Sequence, residues 1–196
     1  PEDKKQFGQL ILQNNDILLN LINDLLDLSK IEAGYIEFNP IEVDLNNFFT
    51  DLYAMFSLRV NPGVELSCEI PDNRRIIIMD PKKLQQILNN YLSNAAKFTQ
   101  KGSIRFGYKI QDNGVYFYVS DTGIGISEKN KKNVFARFQK LDSYAQGTGL
   151  GLSICKAIAD AAHGKVGFNS EKGKGSTFWA WLPCEFQTKE KLNINA

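Results

Sequence analysis

The chain has 196 residues, 43% of them hydrophobic and 23% charged, with 13 Phe and 7 Tyr. This is enough apolar material for a core, so disorder is excluded for most of the length, and the length suits one ordinary domain plus a modest appendage. Lys and Arg total 23 against 22 Asp and Glu, a net charge of +1, which argues against nucleic acid as a partner. No stretch approaches the roughly 20 apolar residues of a membrane span, so no direct membrane contact is expected. Cys68, Cys155 and Cys184 lack metal-ligand spacing and sit among apolar neighbours, which reads as reduced packing residues of a cytoplasmic protein. The first residue, Pro1, falls in the middle of an amphipathic pattern, so the chain reads as an excised piece of a longer protein.

Phe7, Leu10, Ile11, Ile17, Leu18, Leu21, Leu25 and Leu28 form a heptad seam on a long helix, with Asn14 at the one polar position. Ile22 and Leu26 widen the stripe beyond what one partner helix covers, which suggests a bundle and predicts a homodimer through residues 7–28. Packing of this helix on its own domain is the plainer alternative. Ala33-Gly34 should end the helix. Tyr35–Val43 reads as a short strand interrupted by Pro40, and Asp44 caps a helix carrying Leu45, Phe48, Phe49, Leu52, Tyr53 and Phe56. Val64–Ile70 and Arg74–Met79 are strand candidates. Asp80-Pro81 reads as a cap with proline at the first position of a helix running to about Phe98. Ser103–Ile110 and Val115–Ser120 should form a hairpin about Asp112-Asn113-Gly114. Gly151–His163 reads as a helix ended by Gly164, and Lys165–Asn169 and Ser176–Leu182 as the last two strands. This order implies an α+β sandwich with helices on one face of a mixed, mostly antiparallel sheet. The expected divisions are 1–34, 35–184 and a polar tail at 185–196.

Four features carry chemistry. Asn90 and Asn94 lie one helical turn apart with Lys97 close behind, placing two amide oxygens suited to Mg²⁺ and an ammonium suited to phosphate on one face. Asp121-Thr122-Gly123-Ile124-Gly125-Ile126 follows a strand, where a buried carboxylate can accept a hydrogen bond from the exocyclic amine of adenine; guanine would offer an acceptor there. Phe135 and Phe138 bracket Arg137 ahead of a polar stretch that resembles a mobile lid, with Arg137 and Lys140 available to phosphate. Gly147-Thr148-Gly149-Leu150-Gly151 leads into a helix, and its amides form an anion site that suits a triphosphate. Ordinary helix-surface, turn and aromatic-staple roles are the competing readings of the first three.

Together these motifs resemble the ATP-binding catalytic domain of sensor histidine kinases, within the superfamily that also holds gyrase, the heat-shock chaperone and MutL. Asn90 to Thr99 is similar to the N box, Asp121–Gly125 to the G1 box, Phe135–Phe138 to the F box and Gly147–Gly151 to the G2 box. Leu21 to Gly34 is similar to the end of the second helix of the dimerisation and phosphotransfer hairpin. The resemblance implies a Bergerat-type ATP fold with ATP and Mg²⁺ as cofactors. Asp121 would hold adenine, with Gly123, Gly125 and Ile126 around it. Asn94 and Asn90 would hold Mg²⁺, Lys97, Arg137, Phe138 and Lys140 would lie near the nucleotide, and Gly147, Thr148, Gly149, Leu150 and Gly151 would wrap the phosphates. Thr177 matches a position that often supports the G1 aspartate. The implied activity is transfer of the ATP γ-phosphoryl group to a histidine and then to an aspartate of a response-regulator receiver domain, at the cytoplasmic end of a sensor often anchored in the inner membrane.

The family's acceptor histidine lies on a hairpin helix upstream of the second, and no such helix is present. The single histidine, His163, reads as helix-end packing near the dipole. The chain is therefore expected to bind ATP without phosphorylating itself. The segment between Phe138 and Gly147 is short for the family. Two rivals stand beside this reading. An ATP hydrolase of the superfamily resembles the others in a glutamate base one turn before the Mg²⁺ asparagine, where this chain has Asn90, an amide that cannot serve as base. A non-catalytic nucleotide-regulated module would have little need of the full set of contact residues.

Overall fold

The computed structural model describes residues 33–139 and 148–186 and, upstream, residues 7–8, 15, 18–19, 21–26 and 29–30. The described upstream residues up to 30 are helical. Gly34 ends that segment in the left-handed region (φ 72°), and Tyr35 N–H closes onto Lys30 O at 2.8 Å, as a Schellman terminus requires.

Strand β1 (Ile41–Asp44) is shorter than the sequence suggests, because Pro40 has no N–H to contribute and pairing with a neighbour begins at Ile41↔Met79. Helix α1 (Leu45–Ser57) follows, with Asp44 Oδ1 accepting from Asn46 N–H (3.0 Å) and Asn47 N–H (3.3 Å). Its face of Leu45, Phe49, Leu52 and Phe56 is buried, while Tyr53 is exposed. Strands β2 (Val64–Glu69) and β3 (Ile76–Met79) precede helix α2 (Pro81–Phe98). Asp80, itself buried, caps α2 through Lys82 N–H (2.8 Å) and Lys83 N–H (3.2 Å) and ties in the upstream chain by accepting from Asn39 N–H at 2.9 Å.

Strands β4 (Gly102–Gln111) and β5 (Gly114–Asp121) form the expected hairpin. Both loop residues are left-handed, Asp112 at φ 50° and Asn113 at φ 56°, which matches the twist of the strands. After the short helix α3 (Glu128–Lys131) come helix α4 (Gly151–Ala161) and strands β6 (Lys165–Glu171), β7 (Gly175–Pro183) and β8 (Glu185–Phe186). Gly164 N–H reaches Ala159 O (2.7 Å) and His163 N–H reaches Asp160 O (3.0 Å) at the end of α4. The left-handed residue there is His163 (φ 56°), and it is exposed, so it makes the turn instead of packing the helix end.

The strands divide into a five-stranded sheet of order β2-β4-β5-β7-β6, in which only β2 and β4 run parallel, and a small antiparallel sheet β1-β3-β8. The pairing Ile77↔Phe186 carries the folded unit two residues past the expected start of the polar tail. Alternate residues such as Phe106, Phe117 and Ala180 point from the large sheet into a core shared with α1, α2 and α4. Tyr116 and Trp179 stack on the sheet's other face with ring centroids 5.4 Å apart. The architecture is the expected α+β sandwich. The three thiols are free, and burial pushes them up, Cys184 to about 11 and Cys68, beside Glu69, to about 12, so they stay protonated packing groups. No helix among the described residues is long and apolar enough to cross a membrane.

Candidate functional site

The end of β5, the last turns of α2, α3 and the start of α4 enclose a cavity of about 370 Å³. Asn94, Lys97, Asp121, Gly125, Ile126 and Gly149, all singled out in the sequence, line it. The β5 strand delivers Asp121 half-buried to its floor. Burial raises the carboxyl above its ordinary value of 3.8, an effect tempered by the backbone N–H groups of Gly123 and Ser176. Gly123 N–H donates to Asp121 Oδ1 at 2.8 Å, and the carboxylate lines the cavity. Gly125 is left-handed (φ 62°), and a Cβ there would stand 2.0 Å from Glu171 O, so the loop after Asp121 can lie against the β6–β7 turn only with glycine. Ile126 is anchored by its N–H donating to Ser170 Oγ at 2.8 Å.

Helix α2 brings Asn94 and Lys97 to the cavity because they lie three residues apart on one face. Lys97 Nζ lies 4.9 Å from the centroid of the Phe98 ring. Asn90 has partners of its own. Its amide nitrogen donates to Gln86 O at 3.0 Å, and its Oδ1 sits where a Cβ on Gly151 would be, at 2.1 Å. Asn94 thus lines the cavity on α2, while the amide of Asn90 lies against the start of α4.

The glycine loop divides in the same way. Gly149, left-handed at φ 74°, lines the cavity, and a Cβ on it would come 2.9 Å from the carbonyl carbon of Phe138. Thr148, Leu150 and Gly151 stand behind it, with Leu150 N–H donating to Thr148 Oγ1 at 3.2 Å. Phe135 packs inward against Phe168, with ring centroids 6.0 Å apart, whereas Phe138 is exposed and left-handed (φ 58°). Arg137 is exposed. Lys140 and Gly147 lie outside the described residues.

Thr177 does not support Asp121. The β5–β7 register pairs Asp121 with Ser176 and Ser120 with Thr177, and the pleat sends Thr177 to the opposite face, where its hydroxyl lies 2.9 Å from Ser120 Oγ. Ser176, buried and cavity-lining, is the residue beside the aspartate. A count of one along the strand would have found it. Ile124, which falls inside the Asp121–Ile126 motif, also borders the cavity, as do Ser127, Lys129, Asn130 and Lys172, which escaped the sequence reading because no motif spacing marks them.

Residues 79–185 match the family described as histidine kinase-, DNA gyrase B- and HSP90-like ATPase. The circadian input-output histidine kinase CikA of Synechococcus elongatus is 36% identical over 190 residues, covering 93% of this chain and 25% of CikA. The signal transduction histidine-protein kinase BarA of Escherichia coli is 35% identical over 179 residues, covering 83% of this chain and 19% of BarA. This chain thus spans about a quarter or less of these two relatives. Full-length ShkA, solved in complex with AMPPNP, superposes with a TM-score of 0.84 at 30% identity, over 95% of this chain and 40% of that one. The catalytic domain of histidine kinase ThkA superposes at 0.65 with 28% identity, over 76% of this chain and 96% of that domain. Set beside a cavity floored by a half-buried aspartate and flanked by an asparagine helix and a glycine loop, these likenesses show that the chain belongs to the histidine kinase-, DNA gyrase B- and HSP90-like ATPase family and carries the ATP-binding catalytic domain of sensor histidine kinases.

Proposed function

We propose that this chain is the phosphoryl-donating part of a sensor histidine kinase, with residues 35–184 as its catalytic unit and residues 1–34 as the second helix of a dimerisation hairpin. The observation that carries the reading is Asp121, half-buried at the cavity floor with Oδ1 accepting from Gly123 N–H, where a carboxylate oxygen would meet the ligand. That oxygen accepts the N6–H of adenine, and guanine places a carbonyl there and is rejected by like acceptors. Asn94 is a neutral hard ligand of the kind Mg²⁺ takes singly, its shell being completed by phosphate oxygens and water, so the residues present fit that ion. Bound there, Mg²⁺ would neutralise phosphate charge. Lys97 meets a phosphate oxygen, and the Gly149 segment offers backbone to the polyphosphate.

In the reaction a histidine imidazole nitrogen attacks the γ-phosphorus, an N–P bond forms as the bond to the bridging oxygen breaks, and ADP leaves. The phosphoryl group then passes to a receiver-domain aspartate. The chain's part in this is placement of the γ-phosphorus, which is where phosphoryl transfer gains most of its rate. Asn90 in place of a glutamate leaves water without a base, which disfavours hydrolysis. Dimerisation through residues 7–28 and a cytoplasmic location complete the proposal.

The test is incubation with γ-labelled ATP, alone and with an added dimerisation hairpin that bears a histidine. Acid-labile label on the hairpin and none on this chain is the expected result. Label on this chain alone, at His163, would contradict it, as would release of free phosphate faster than transfer.

A further inference from the structure

The upstream helical residues meet the catalytic domain at the glycine loop. Leu21 is half-buried against the core, and one turn later Asp24 Oδ2 accepts a hydrogen bond from Thr148 Oγ1 at 2.9 Å, across 124 positions of sequence. The same hydroxyl oxygen accepts from Leu150 N–H, and Leu150 is the residue that opens α4. A relay therefore runs from the Leu150 amide through the Thr148 hydroxyl to the Asp24 carboxylate. Asp24 also bears electrostatically on the Cys155 thiol of α4.

A glycine loop at a helix N-terminus attracts anions because its N–H groups point outward and the helix dipole is positive there. In this chain the Leu150 N–H and the Thr148 O–H, two donors that such a loop can offer a polyphosphate, are both engaged, and the relay they form ends on a carboxylate that belongs to another element. Asp24 thus sets a negative charge against the Thr148 side of a loop whose next residue, Gly149, lines the cavity, and like charges brought to the two sides of one loop repel.

We infer that Asp24 is a resident counter-anion of the glycine loop, so that seating of the upstream helix on the catalytic domain and binding of the nucleotide's polyphosphate oppose each other. The inference rests on the ATP reading of the cavity and adds to it a regulatory role for a residue outside the catalytic domain. By linkage the opposition is reciprocal: whatever lifts Asp24 from Thr148 tightens ATP binding, and ATP weakens the seating of the helix by the same factor. The nucleoside part is expected to have no share in it, because the contact runs through Thr148 and not through Asp121.

The experiment titrates the full 196-residue chain with Mg²⁺-ATP and, separately, with adenosine, in the parent sequence and in Asp24→Asn and Asp24→Ala. Asp24→Asn keeps an oxygen that can accept from Thr148 and removes the charge, whereas Asp24→Ala removes both. Both variants are expected to bind ATP roughly fivefold more tightly, at the low end of ordinary couplings, with adenosine affinity unchanged. Hydrogen exchange gives the reciprocal arm, in which ATP but not adenosine speeds exchange of the amides of residues 21–26. Unchanged or weaker ATP binding in Asp24→Ala, or an equal shift for adenosine and ATP, would overturn the inference while leaving the ATP reading intact. Failure of the parent chain to bind either ligand would instead sink the ATP reading, and this inference with it.

Discussion

Asp121 carries a pH signature that follows from where β5 leaves it. Burial raises its protonation point above the ordinary 3.8, and the Gly123 and Ser176 amides only partly offset this. Because the folded-state value is the higher one, the folded chain holds the proton more tightly than the unfolded chain, and stability contributed by that proton is lost as pH rises through the folded value. Ligand binding has the opposite sense in the proposed site, where the carboxylate is the form that accepts from adenine. Adenosine affinity, which is free of the phosphates' own titration, should therefore fall on acidification through a point above the ordinary aspartate value of 3.8, and should be absent at every pH in Asp121→Asn. A flat adenosine profile down to pH 4 would contradict this. Asp80 offers a stability test of the same kind of residue. Three backbone N–H groups donate to its buried carboxylate, so Asp80→Ala strands them and should cost about 2 to 3 kcal/mol in urea unfolding. A loss below about 0.5 kcal/mol, the usual scatter of surface substitutions, would mean that water replaces the cap.

At the scale of elements, the signals that were legible are those in which one residue type has one conformational use. Asp44 and Asp80-Pro81 each cap a helix, and Asp112-Asn113 turns a hairpin through two left-handed residues. The site motifs were legible for the same reason, since Gly125 and Gly149 sit where a Cβ would strike backbone. The misses have physical causes. Thr177 was placed beside Asp121 by motif likeness, but the two-residue pleat decides which neighbour faces the cavity, and that is Ser176. Asn90 was read with Asn94 from helical spacing and the N-box likeness, neither of which reveals that its amide lies against Gly151. β8 is two residues long and is held by pairing with β3, information that no local pattern contains. At the end of α4 the glycine expected to terminate the helix stands one position after the residue that does so. His163 adopts the left-handed turn at a steric cost that glycine lacks, so His163→Gly should raise stability by about 1 kcal/mol and His163→Ala should not. Differential scanning calorimetry checks this, and a lower Tm for His163→Gly would show that the imidazole makes a stabilising contact.

Across the whole molecule, a sheet covered by helices on one side gives rigid walls to a cavity whose fourth side is made of loops. Rigid elements fix Asp121, Asn94 and Lys97, and the loops carry Gly149 and its neighbours, which suits a site that must hold adenine firmly and release a phosphoryl group. The upstream helix adds a different surface. Phe7, Leu18, Leu19, Ile22, Leu25 and Leu26 are each at least 40% exposed, while Leu21 alone among the described apolar residues of that segment packs on the core. The plainer alternative, in which the helix lies wholly on its own domain, accounts for Leu21 and leaves the remaining apolar side chains in water. Self-association through this stripe should therefore appear in light scattering as a mass that rises with concentration, and Leu18→Glu combined with Leu25→Glu should return the monomer. A constant monomer mass for the parent chain would contradict it.

The central claim is that the cavity is an adenine nucleotide site read by Asp121. Isothermal titration of Mg²⁺-ATP and Mg²⁺-GTP into the parent chain and into Asp121→Asn tests it most directly. The account predicts ATP binding by the parent, no binding of GTP, and loss of ATP binding in the variant with its thermal unfolding intact. Equal binding of the two nucleotides, or ATP binding that survives Asp121→Asn, would contradict it.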